Sequence, residues 1–180
     1  MIKTLAEVLP SRNLPTLRAD VTLVPAAGVS KLLPLASMLL GHDIEIGALL
    51  DGDEPARREG KKLIEKLLSG QDRRCLFIGD FITGFTAAEI EDIFPEEFYL
   101  SAVKIAYPEV KLSFNKEEKE INGVLNKLTA FSGRKGGERF EKWRVAAVLR
   151  DWILEKPETV PASVYETMST IFTAANAIFE

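Results

Sequence analysis

The sequence predicts an α/β fold, a parallel sheet flanked by helices, followed by an all-helical C-terminal region. Three observations carry this. Short apolar runs at residues 21–24, 44–50 and 75–78 alternate with helical patterns. The stretches between them are long enough for crossover connections, which makes successive strands parallel. Beyond Pro108 the pattern is helical throughout. The boundaries that follow are 1–108 for the α/β part and 109–180 for the helical part.

Taken in order, Thr4–Leu9 reads as a short helix ended by Pro10, with a loop over Ser11–Thr16. Val21–Val24 is a short β-branched strand closed by Pro25. A helix from about Val29 to Leu40 follows, with Ser30 as cap, Pro34 near its first turn and Gly41 at its end. Ile44–Leu50 is a nearly continuous apolar run, the mark of a buried parallel strand. Pro55 opens a helix over Ala56–Leu68, whose apolar face carries Leu63, Ile64, Leu67 and Leu68. Cys75–Ile78 is the third strand, and Pro95 starts a helix to about Tyr107. The helical part then comprises Lys116–Leu128, a basic glycine-containing loop over 133–137, Glu138–Leu154 and Ala162–Phe179.

Composition narrows the function classes. A net charge of −4 over 180 residues gives no global attraction to nucleic acid, so any such binding needs a local basic patch or a bridging metal. The single cysteine, Cys75, sits in an apolar run and reads as core; it permits no intrachain disulfide and no thiolate zinc site. No apolar stretch approaches the roughly 20 residues that span a bilayer, and Met1–Glu7 lacks a signal-peptide pattern. A cytoplasmic location without membrane association is the expectation. His42, the only histidine, reads as a surface residue and is paired with no activated serine. Phe140, Trp143 and Trp152 read as core.

The chemistry-bearing residues begin with Asp51-Gly52-Asp53 at the end of the second strand. Ligands of open α/β sheets collect at the carboxyl ends of strands, and two carboxylates there suit a hard divalent cation. An acidic turn is the competing reading. Glu89-Ile90-Glu91-Asp92 follows the third strand and is expected at the same sheet edge, where two acidic segments need a cation or proton between them. An acidic first helical turn is its alternative. Lys142 suits the charge that develops on a phosphate in a transition state, and Arg134, Lys135 and Arg139 form a basic patch nearby. Taken alone, these cations at ordinary spacing read first as a solvated helix face.

The ordered set Val21–Gly28, Leu49–Asp53, Glu89–Phe94 and Phe140-Glu141-Lys142 resembles the TOPRIM nuclease part of the OLD (overcoming lysogenization defect) family, over about residues 18 to 180. That resemblance implies a TOPRIM-like sheet and metal-dependent hydrolysis of a DNA phosphodiester with Mg²⁺ or Mn²⁺. It implies that Asp51, Asp53, Glu91 and Asp92 bind metal, that Lys142 lies near the scissile phosphate, and that Arg134, Lys135 and Arg139 contact DNA. Two features depart from the family pattern. The first TOPRIM strand, which ends in a glutamate, has no counterpart before Val21, so the α/β part is expected to be N-terminally incomplete. The N-terminal ATPase and its Walker motif are also lacking. The expectations are therefore a homo-oligomer or an ATPase partner chain that completes the unit. The alternative function is a degenerate TOPRIM module acting as a non-catalytic binding or assembly subunit.

Overall fold

Two parallel three-residue strands anchor the α/β part. In the computed structural model, which describes residues 1–136 and 140–180, β1 (Ala48–Leu50) pairs with β2 (Cys75–Phe77), with Ala48 opposite Cys75 and Leu50 opposite Phe77. The crossover between them is α3 (Glu54–Lys66), which buries Ala56, Gly60 and Leu63 against the sheet. The Asp53 carboxylate accepts the Ala56 N–H at 2.9 Å and caps this helix, and Pro55 occupies its first turn, where a missing N–H is harmless.

Before the sheet come α1 (Ile2–Val8) and α2 (Leu32–Leu40). After it come α4 (Glu96–Ala106), the single turn α5 (Lys116–Lys119), α6 (Val124–Lys135), α7 (Lys142–Glu155) and α8 (Ala162–Asn176). Of the described residues 61% are helical, so helix packing rather than the sheet dominates the core. One apolar cluster joins α1, α4, α6, α7 and α8 and takes side chains from Leu5 to Phe172, on both sides of residue 108. A smaller one joins α2, α3 and the two strands through Leu32, Ala36, Ile46, Leu63, Leu68 and Cys75. Burial pushes the Cys75 thiol up to about 11, in keeping with an unreactive core residue.

Several boundaries differ from the sequence expectation. Val21–Val24 forms no strand: Leu23 and Val24 are exposed, and the segment runs irregularly into Pro25 without a neighbour on which to ladder. The sheet therefore has two strands among the described residues. Ser30 caps nothing, because residues 29–31 form a 3₁₀ turn ahead of α2. The single helix expected over Lys116–Leu128 is broken between α5 and α6. Gly123, at φ +85°, turns the chain there, and the Asp92 carboxylate takes the Val124 N–H at 2.8 Å. Gly133–Lys135, expected as loop, is the last turn of α6, and Gly136 is its C-cap. The helix expected from Glu138 begins at Lys142. Trp143 is not core; it is 68% exposed. Among the described residues no helix is long and apolar enough to cross a membrane.

Candidate active site

The strand β1 delivers Asp51 to its carboxyl end, and the loop after β2 folds back across it. The Gly52 N–H donates to the Ala88 carbonyl at 2.7 Å, and the Ile90 N–H donates to the Asp51 carboxylate at 3.0 Å. This crossing requires glycine. A Cβ at Gly52 would lie 2.1 Å from the Thr86 carbonyl oxygen, and one at Gly79 only 1.8 Å from the same atom. Gly52 thus serves close approach of two backbones, not the left-handed turn that its place between two aspartates suggests. Arg57 of α3 fastens the crossing: its guanidinium donates to the Gly52 carbonyl, to the Thr86 carbonyl and to the Asp80 carboxylate at 2.8 to 3.1 Å.

The returning loop carries Glu89 and Glu91 to the Asp51 end of the strand, and Lys142 meets them from α7. Its Nζ is 2.6 Å from Glu89 and 3.5 Å from Glu91. A lysine as the first residue of a helix opposes the helix dipole, so its place needs those carboxylates. Burial weakens the charge on Lys142, but the Glu89 bond and the charges of Glu91, Glu89 and Asp51 outweigh this and hold its pKa above the ordinary value. Burial raises the Asp51 carboxyl, although the Ile90 bond opposes it and Glu89 adds repulsion. Glu91, only 7% exposed, is raised chiefly by burial, with Lys142 pulling the other way. Three segments that are remote in sequence thus bring together Asp51, Glu89, Glu91 and Lys142.

The remaining expected residues are placed differently. Asp53 is the cap of α3, with one oxygen engaged on Ala56. Asp92 has both oxygens on backbone donors, Glu89 N–H and Val124 N–H, and joins the loop to α6. Arg134 is held by Glu118, itself buried in the capping box of α5, and by the Ser113 carbonyl. Lys135 is exposed. Arg139 lies outside the described residues. Glu89 belongs to the expected acidic segment but not to the expected metal ligands, yet it makes the shortest contact to Lys142. Glu89-x-x-Asp92 is the spacing of a reciprocal cap, which engages the side chains of Glu89 and Asp92 and leaves Glu91 outside it.

All candidate donors are carboxylate oxygens, the right chemistry for Mg²⁺ or Mn²⁺. Among the described residues no three side chains of His, Cys, Asp or Glu enclose a common point. A cation here would have one or two carboxylates at most and would need waters for its remaining ligands. Beside Asp51 lies a cleft of about 210 Å³, bordered by Leu49, Leu50, Ala26, Val29, Ile78 and Ile90. No protein-family model, curated protein or solved structure matches this chain.

Proposed function

We propose that the chain is a TOPRIM-like nuclease domain of the OLD type that hydrolyses DNA phosphodiesters with Mg²⁺ or Mn²⁺. One observation carries the reading: Asp51 at a strand end, Glu89 and Glu91 on a crossing loop, and Lys142 at a helix start converge from segments some 40 to 50 residues apart. Asp51 and Glu91 would hold the cation, which would keep most of its waters. The bound cation would acidify a water into a nucleophile at neutral pH. Lys142, on exchanging Glu89 for a phosphate oxygen, would bind the substrate and offset the negative charge that grows in the transition state. The half-buried setting of Asp51 and the buried one of Glu91 strengthen such electrostatic contacts. β1 pairs with one neighbour among the described residues, and a parallel sheet is ordinarily covered and extended. A second copy or an ATPase chain is the completing partner in this reading.

A second reading has its own observation. Lys142 already bridges Glu89 and Glu91 without a cation, and Asp53 and Asp92 serve as caps. That arrangement suits a non-catalytic binding or assembly module. Supercoiled plasmid incubated with the protein and Mg²⁺ or Mn²⁺ decides between the two. Nicking that disappears in Asp51→Ala and Lys142→Met establishes the nuclease. Absence of nicking, with no cation binding by calorimetry, removes the nuclease reading for this chain alone.

A further inference from the structure

Trp143 follows Lys142 directly and is 68% exposed, with its indole N–H on the Glu141 carboxylate. A large aromatic left in water at the start of a helix is unexplained by packing. Phe140, two residues before Lys142, forms one wall of a second cleft of about 340 Å³. Tyr107 and Phe131 form its other aromatic walls, with Phe140 edge-on to Tyr107 at 5.1 Å. Lys111 and Lys135 stand on the same cleft with Glu109, and among the described residues neither lysine is in an ion pair. The Tyr107 hydroxyl accepts the Glu141 N–H at 2.7 Å and ties the cleft to the α7 start.

The cleft is large enough for a small aromatic ligand. Its excess of lysine disfavours a cation and favours a flat ligand that carries negative charge. Trp143 is exposed and Phe140 half-buried, while Tyr107 and Phe131 are buried and back the cleft. Accessible aromatic faces with lysines beside them are the elements of single-strand recognition, because every base has a π-face and every linkage a phosphate. We propose that the start of α7 is a binding platform for an unpaired DNA strand, with Trp143 and the Phe140 cleft stacking bases and Lys111 and Lys135 contacting the backbone. This rests on the nuclease reading for its biological sense, since Lys142 lies between Phe140 and Trp143, but not for its measurement. On this account the substrate is single-stranded or frayed DNA, not intact duplex.

The test is fluorescence anisotropy of a labelled oligodeoxythymidine with the full chain in EDTA, where cation chemistry is off. Trp143→Ala is expected to weaken binding about tenfold, the scale of one lost base stack, and Trp143→Phe to restore most of it. Phe140→Leu, which keeps the cleft filled, and the pair Lys111→Ala with Lys135→Ala are expected to weaken it as well. Each variant is checked by its melting temperature. A 5-bromodeoxyuridine oligomer should crosslink under ultraviolet light to peptides that contain Tyr107, Phe140 or Trp143. The proposal is overturned if the oligomer does not bind, if Trp143→Ala and Phe140→Leu both bind normally, or if duplex of the same length binds as tightly. Oligomer binding without plasmid nicking removes the nuclease reading and leaves the platform standing; nicking with no effect at Trp143 does the reverse.

Discussion

Glu91 is the residue on which stability and chemistry oppose each other. It is buried, its pKa is raised mainly by lost hydration, and the Lys142 contact of 3.5 Å offsets this only in part. A carboxyl whose folded pKa exceeds its unfolded one favours the folded state below the unfolded value, near 4.3. That contribution is lost as pH rises through the folded value. Glu91→Gln mimics the protonated form at every pH. It is therefore expected to raise stability in metal-free buffer at pH 8 by about 0.5–2 kcal/mol, the usual gain when a functional constraint is relieved. The gain should vanish at pH 4, where the native residue is itself protonated. Urea unfolding at the two pH values measures it. A gain of equal size at both would show that burial of the charge is not what Glu91 costs the fold.

At the scale of elements, Asp53 separates capping from chemistry. Its carboxylate caps α3 through Ala56, and loss of such a cap costs about 1 kcal/mol. Asp53→Ala is expected to lower stability by that amount, whereas Asp53→Ser keeps the cap and removes the charge. If Asp53→Ser melts like the native protein but nicks plasmid at a tenth of the rate or less, Asp53 acts on the cation; if it nicks normally, Asp53 is a cap alone. The elements also show what the sequence made legible. The β1–α3–β2 unit was readable because apolar runs, Pro55 and the terminal glycines all point one way. The convergence of Asp51 with the 89–92 segment followed from the parallel sheet alone. Val21–Val24 misled because β-branched content reports fitness for a pleated surface, not the presence of a partner strand. The break before α6 was missed because its cause is tertiary: the Asp92 carboxylate, 32 residues away, supplies the cap. Trp143 was misread as core because helical spacing says nothing about which residues stay in water.

At the scale of the molecule, the site lies where two apolar clusters of unequal size meet. β1, β2, α2 and α3 share the small cluster, while the loop residue Ile93 and the helices α4, α7 and α8 belong to the large one. Asp51 extends from the first and Lys142 from the second, and their carboxylate neighbours Glu89 and Glu91 sit on the loop that joins them. Local stability follows buried apolar contact, so the smaller cluster should open at lower free energy. Native-state hydrogen exchange is accordingly expected to release the amides of β1, β2 and α3 before those of α4, α7 and α8. A cation that bridges the two halves binds only the closed form and stabilises it by mass action, by about 2.7 kcal/mol at a hundredfold excess over its dissociation constant. Mg²⁺ at that hundredfold excess should then slow exchange at Asp51, Gly52 and Ile90 by about a hundredfold while leaving the centre of α8 unchanged, and Asp51→Asn should abolish the effect. Uniform exchange across both clusters would mean that they unfold together, and Mg²⁺ protection that survives Asp51→Asn would place the cation elsewhere.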